Sequence, residues 1–178
     1  MRPAVPEDLN FLVWIDIKDE GVSSTYMANW SDQEWAAHRE QIRAFISDPE
    51  KIAIVFQESE TDRRVAAIYA DLFKFEDVSD KWASLAGIKD RFPANHRLCC
   101  VFQLWVDPEW RRQGIASQLK QALEDEARRR GVDAMYTQTE SENHHVIALN
   151  QKLGYAEMYR GPMWDTIERV GLLKMIRV

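Results

Sequence analysis

Two spacings of apolar residues alternate along the chain. Leu9, Leu12, Val13 and Ile17 recur at helical intervals and predict a helix over residues 7–18. Residues 21–30 break that rhythm with Ser, Tyr and Asn and read as a loop. Ser31-Asp32-Gln33-Glu34 has the form of a capping box, with Ser31 as N-cap and Glu34 three places on. Trp35, Ile42, Phe45 and Ile46 then share one stripe until Asp48-Pro49 stops the helix. Residues 52–57 and 64–73 are apolar and β-branched, and the polar run between them predicts a hairpin. Residues 75–97 hold no sustained period, although Trp82, Leu85 and Ile88 fit a short helix. Residues 98–106 read as a strand. Residues 114–130 read as a helix with Ile115, Leu119, Ala122, Leu123 and Ala127 on its buried face. Arg128-Arg129-Arg130 suits the negative end of that helix, and Gly131 its C′ position. A strand over 133–139, a helix over 143–153 stopped by Gly154, and strands over 155–159 and 170–176 complete the pattern. A short strand is expected within residues 1–5. The order α-α-β-β-β-α-β-α-β-β predicts an α/β (α+β) chain with a central, partly antiparallel sheet and helices on both faces.

The 178 residues fit one domain, residues 1–178, large enough to bury a core without staples. The composition, 46% apolar and 29% charged, is that of a globular chain. A formal charge of −6 argues against a nucleic-acid partner. No apolar run approaches the ~20 residues that span a bilayer, so no membrane partner is expected. The first residues lack the charged-then-apolar order of a signal peptide. Cys99 and Cys100 are adjacent and alone, so no disulfide framework is available and a cytoplasmic location is expected.

The chemistry concentrates in Leu104-Trp105-Val106-Asp107-Pro108-Glu109-Trp110-Arg111-Arg112-Gln113-Gly114-Ile115-Ala116-Ser117. A strand ends, a basic turn follows and a helix begins with small residues. Unpaired N–H groups at a helix start converge on one spot. The helix dipole and two guanidinium groups make that spot an anion site suited to a pyrophosphate. Gly114 and Ala116 leave room for close approach to the backbone. The same residues also describe a plain strand-to-helix turn with a solvated arginine pair. Neither G-x-x-x-x-G-K-[ST] nor G-x-G-x-x-G occurs. The pattern Arg111-x-x-Gly114-x-Ala116 resembles the (Gln/Arg)-x-x-Gly-x-(Gly/Ala) signature of the GNAT superfamily of N-acetyltransferases, whose turn grips the pyrophosphate of acetyl-coenzyme A. Asn143-His144-His145-Val146-Ile147-Ala148-Leu149-Asn150-Gln151-Lys152-Leu153-Gly154-Tyr155 resembles that family's following helix, one helix and one strand downstream. The opening Arg2-Pro3-Ala4…Pro6-Glu7-Asp8 and the two-helix-then-hairpin layout extend the resemblance over nearly the whole chain.

The resemblance implies a GNAT fold, a mixed, largely antiparallel sheet splayed between the strands ending near Val106 and Thr139. It implies acetyl-CoA as co-substrate and direct transfer of the acetyl group to a primary amine of a small molecule or peptide. Leu104 and Val106 would pair with the pantetheine amides. Arg111, Arg112, Gln113, Gly114, Ile115, Ala116 and Ser117 would hold the pyrophosphate. Asn143 would meet the pantetheine arm or the acceptor. Homodimers are frequent in the family.

Three positions depart from the family's pattern. Asn150 stands where a tyrosine often serves as acid for the departing thiolate, and it would still bond the sulfur. Gln103 and Gln138 stand nearest to the positions where a carboxylate base is common. Glu140, two residues beyond Gln138 on the same strand face, is the leading candidate base, with Asp71 a weaker one. His144 and His145 point about 100° apart on a helix and do not form a ligand pair, though one of them is a further base candidate. No metal-ligand spacing occurs, so no metal is expected. Asp19-Glu20 and the loop from Tyr26 to Trp30 lie where the family commonly binds its acceptor. A non-catalytic acyl-CoA-binding or sensor domain of the same fold is the competing reading, mildly favoured by the two glutamines.

Overall fold

The structure, a computed structural model, describes residues 1–19, 29–77 and 95–177. β1 (Arg2–Pro3) leads through a 3-10 turn (Pro6–Asp8) into α1 (Leu9–Asp19), and α2 (Asp32–Ser47) precedes β2 (Lys51–Gln57) and β3 (Arg64–Lys74). A second 3-10 turn (Phe75–Asp77) follows β3. Then come β4 (Arg97–Val106), a third 3-10 turn (Pro108–Trp110), α3 (Ile115–Arg129), β5 (Ala134–Glu140), α4 (His144–Lys152), β6 (Ala156–Pro162) and β7 (Glu168–Met175). The seven strands run in the order β1-β2-β3-β4-β5-β7-β6. β1–β2, β5–β7 and β6–β7 are antiparallel, and β4–β5 is parallel from Leu98↔Ala134 to Cys100↔Tyr136. A parallel pair needs a long crossover, which α3 supplies. The predicted element order is the observed one. The short helix expected around Trp82 lies outside the described residues.

The chain divides into two compact units, Met1–Ala70 with Gln103–Leu123, and Asp71–Phe102 with Glu124–Val178. In the first, α1 and α2 bury Leu9, Leu12, Ile15, Ile42 and Phe45 against Ala53, Val55, Ala67, Tyr69 and Trp105. The expected capping box starts α2. Ser31 Oγ accepts from Glu34 N–H at 3.3 Å, and the Glu34 carboxylate accepts from Ser31 N–H at 2.6 Å. The expected helix over 7–18 instead begins as a 3-10 turn, because the fully buried Asp8 is held by groups outside any helix. Its carboxylate accepts from Arg2 Nη1 (2.6 Å) and Nη2 (3.0 Å), Arg64 Nε (2.7 Å) and Val5 N–H (2.9 Å). Burial pushes this carboxyl group up, but the four donors outweigh it and bring its pKa down to about 2.

In the second unit Phe75, Leu98, Cys100, Ala134, Tyr136 and Leu173 form the core. Gly171 stands opposite Gln138 on β7, where a Cβ would lie 2.6 Å from Tyr136 Oη, so only glycine fits. Gly131 and Gly154 follow α3 and α4 with φ +73° and +90°, the left-handed conformation of a glycine helix stop. Glu124, buried on α3, is bonded to Arg128 and accepts from Lys174 Nζ at 2.7 Å.

Candidate functional site

The strand-to-helix turn is built entirely within the first unit. Asp107 N–H donates to Val65 O at 2.8 Å as β4 ends. Asp107 Oδ1 accepts from Glu109 N–H at 3.0 Å and starts the 3-10 turn Pro108–Trp110. Arg111 Nε donates to Val106 O at 3.0 Å, which fixes the stem of that side chain. Arg112 and Gly114 then have φ of +63° and +79°. A left-handed conformation at a non-glycine residue costs energy and marks a backbone held for a purpose. Here it swings the peptide planes just ahead of α3. Gly114, expected inside the helix, sits one residue outside it for that reason. The helical ladder starts with Gln118 N–H on Gly114 O at 3.0 Å. The N–H groups of Ile115, Ala116 and Ser117 have no carbonyl one turn back. A Cβ on Gly114 would meet only Gln118 Nε2, at 3.9 Å, so the space above the turn is open. Arg111, Arg112, Gln113 and Gly114 are exposed. A diphosphate fits this arrangement: N–H donors at a positive helix end follow two exposed arginines on one turn.

Leu104 and Val106 lie on β4 beside the turn. Leu104 N–H donates to Gln103 Oε1 at 2.9 Å, and Val106 O is the acceptor of Arg111. Gln103, which stands near an expected base position, therefore satisfies its own strand. The pyrophosphate candidates, residues 111–117, are continuous with these two.

The remaining candidates belong to the second unit. Asn143 is the N-cap of α4, its Oδ1 accepting from Val146 N–H at 3.3 Å. Asn150 is fully buried two turns further along α4. Its Nδ2 donates to Val146 O at 2.9 Å, while its Oδ1 has no hydrogen-bond partner among the described residues. Gln138 Oε1 on β5 is likewise buried without a partner among the described residues. Buried acceptors left unpaired cost about 1–3 kcal/mol each, so both oxygens call for a donor beyond the described residues. Glu140 is exposed at the end of β5, registered with Arg169. Asp71 is half-buried on β3, and His144 and His145 are exposed on the first turn of α4. The phenol of Tyr155, at the end of the α4 motif, is pushed up by burial first and by nearby Cys99 and Glu124 after it.

Of the loop expected to meet the acceptor, the side chain of Asp19, and Glu20 and Tyr26, lie outside the described residues. Trp30 packs edge-to-face on Trp35 and His38, with ring centroids 4.9 and 5.2 Å apart. Among the described residues no helix is long and apolar enough to cross a membrane.

One residue of the turn's surroundings escapes a reading of the sequence. Arg63, at the end of the β2–β3 connection, holds Asp107 Oδ2 at 2.7 Å and Glu109 Oε2 at 3.2 Å. Its partners are 44 and 46 positions away, beyond any local pattern.

The model of the Acetyltransferase (GNAT) family matches residues 20–155. The chain belongs to that family. Among curated proteins, the [Ribosomal protein bS18]-alanine N-acetyltransferase of Escherichia coli K12 is 37% identical over 57 residues, 32% of this chain and 38% of that protein. A probable N-acetyltransferase HLS1-like of Arabidopsis thaliana is 39% identical over 71 residues, 39% of this chain and 17% of the relative. The chain thus matches well under half the length of either. Among solved structures, Arabidopsis thaliana NAA60 in complex with acetyl-CoA superposes with a TM-score of 0.73 over 98% of this chain and 97% of that one, at 14% identity. Aminoglycoside 6′-acetyltransferase type Ii superposes with a TM-score of 0.59 over 100% and 99%, at 19% identity. These GNAT structures share the fold of this chain.

Proposed function

We propose that this GNAT protein is an acetyl-CoA-dependent N-acetyltransferase that moves an acetyl group directly to a primary amine of a small molecule or peptide. The observation that carries the reading is the turn at residues 111–117. Its two left-handed residues precede a helix whose first N–H groups have no internal acceptor. That arrangement suits the diphosphate of coenzyme A. The names of the relatives support the amine and the donor in turn: one acetylates an alanine of a ribosomal protein, and another was solved with acetyl-CoA.

In this reading Arg111, Arg112 and Gln113 and the amides of Gly114 to Ser117 hold the diphosphate, and Leu104 and Val106 align the pantetheine arm. Asn143 meets the same arm or the acceptor. Asn150 already spends one amide hydrogen on Val146 O, so its unpaired Oδ1 suits an N–H donor of the arm better than the sulfur. Glu140, through water, takes the proton of the acceptor ammonium. The neutral amine attacks the thioester carbon, the C–S bond breaks with coenzyme A leaving as the thiolate, and the nitrogen sheds its remaining surplus proton to solvent. A thiol near pKa 8.5 leaves at a cost of about 2 kcal/mol at neutral pH, so an acid at position 150 is dispensable. A cytoplasmic location belongs to the reading and is supported by two cysteines that are buried as thiols. A homodimer belongs to it too, and sedimentation tests that.

The test is calorimetric titration with coenzyme A, followed by thiol release from acetyl-CoA across a panel of amines. Tight binding and turnover on at least one amine class are expected. Failure to bind coenzyme A overturns the reading. Binding with no turnover on any amine replaces it with a non-catalytic acyl-CoA sensor.

A further inference from the structure

The turn that would receive the diphosphate is not positive on its own. Between Asp107 and Ala116 the chain carries two carboxylates, Asp107 and Glu109, and two guanidinium groups, Arg111 and Arg112, a formal charge of zero. All four charges fall within six residues of one short turn. Trp110 N–H donates to Asp107 O at 2.8 Å, and Arg111 Nε returns to Val106 O at 3.0 Å. A polyanion approaching the arginines would meet both carboxylates as well.

Arg63 changes that balance. It comes from the polar connection between β2 and β3, where Arg63 O accepts from Glu58 N–H at 2.9 Å and Arg63 N–H donates to Thr61 Oγ1 at 3.3 Å. So anchored, its fork takes Asp107 with one nitrogen and Glu109 with the other. The formal charge of the assembly becomes +1. The arm to Glu109 is open to water, with Arg63 51% and Glu109 73% exposed, whereas Asp107 is only 14% exposed. Exposed pairs contribute little to folding. A role in stability therefore does not account for the arm to Glu109.

We infer that Arg63 is a positioning residue for the donor: it neutralises Asp107 and Glu109 and so leaves Arg111, Arg112 and the start of α3 free to attract the phosphates of coenzyme A. This rests on the reading of residues 111–117 as the diphosphate site. Arg63 itself need not touch the ligand.

The experiment is calorimetric titration of the full chain with coenzyme A at about 0.05 and 0.5 M salt, with thermal melts to establish folding. Arg63→Ala should weaken binding about tenfold at low salt and far less at high salt, because screening shortens the reach of the two carboxylates it leaves unpaired. Its melting temperature should stay close to that of the wild type. Arg63→Lys, which keeps the charge, should retain affinity within about threefold. The decisive variant adds Asp107→Asn and Glu109→Gln to Arg63→Ala. The Asp107→Asn change keeps a side-chain oxygen to accept from Glu109 N–H, so removal of both negative charges should restore affinity to near the wild-type value. A loss that this triple substitution leaves uncorrected, or an Arg63→Ala protein that binds normally, overturns the role given to Arg63 while the diphosphate reading stands. A wild-type protein that binds no coenzyme A overturns both.

Discussion

Alanine at Gly114 separates what the fold needs from what the ligand needs. Gly114 has φ +79°, and an added Cβ would find only Gln118 Nε2 at 3.9 Å, an ordinary contact. The cost to folding is then the left-handed strain of an L residue, about 1–2 kcal/mol, with no clash on top. Gly131, after α3, is a matched control: φ +73°, with Arg177 Nη1 at 3.9 Å. For a chain of this length the two variants should each melt about 2–8 °C below the wild type. They differ in what has to approach. At Gly114 a methyl group stands over the turn where a phosphate must come close to the backbone, and strain there also turns the N–H donors of residues 115–117. Losing one charge-assisted bond costs about 1.5–3 kcal/mol. The Kd for coenzyme A should therefore rise about ten- to a hundredfold for Gly114→Ala. It should stay within about twofold for Gly131→Ala. Scanning calorimetry gives the first quantity and titration calorimetry the second. Equal affinity in the two variants would refute the assignment of this turn, whatever their stabilities.

Other predictions bear on the fold and the second unit. Asp8 has a pKa of about 2 in the folded chain against an ordinary value of 3.8, so its contribution is complete above about pH 4 and is lost as pH falls through 2. The shift corresponds to about 2 kcal/mol. Asp8→Asn should melt about 4–8 °C lower at pH 7, and thermal melts should show the gap closing as the acid limb is reached. Gly171→Ala drives a Cβ to 2.6 Å from Tyr136 Oη and should cost about 1–3 kcal/mol, as overpacking does. Combined with Tyr136→Phe, which removes that oxygen, it should recover much of the loss in denaturant titrations; equal destabilisation in both backgrounds would refute the contact. Asn150→Leu removes a buried oxygen that nothing in the described residues pairs. The unliganded protein should hold its melting temperature while coenzyme A affinity falls, and an unchanged Kd would count against any ligand role for that side chain.

The legible parts of this protein are those whose requirement falls on neighbours in sequence. The box at Ser31 and Glu34, the stops at Gly131 and Gly154, and the turn at residues 111–116 each need particular residue types a few places apart, and each stands in the structure. The proposed diphosphate site is legible because backbone geometry makes the turn, and such geometry demands small residues at fixed positions. Asp8 reads in sequence as part of a helical period because its partners lie outside that period, Arg2 on β1 and Arg64, 56 residues away, on β3. Arg63 reads as hairpin polarity for the same reason. The unpaired oxygens of Gln138 and Asn150 carry no mark at all, since a glutamine or asparagine looks alike in sequence whether or not its partner is present.

The neutrality of those side chains has a consequence for turnover. Asn150 stands where the family often carries a tyrosine, Gln103 and Gln138 stand nearest to where it often carries a carboxylate, and none of the three changes charge at working pH. The leaving thiolate asks for about 2 kcal/mol at pH 7, whereas removing the proton of an alkylammonium of pKa near 10 asks for about 4 kcal/mol. Proton removal from the acceptor is the larger demand. We therefore expect kcat/KM to climb with pH toward the acceptor's own pKa. Exchanging an amine of pKa near 10 for one near 8 should move the midpoint down by about two units. Glu140→Gln should lower kcat most below the acceptor's pKa and little above it, where no ammonium proton is left to remove. A midpoint that stays fixed when the acceptor is changed would assign the limiting proton to a titrating group of the enzyme and refute the inference drawn from the three neutral side chains.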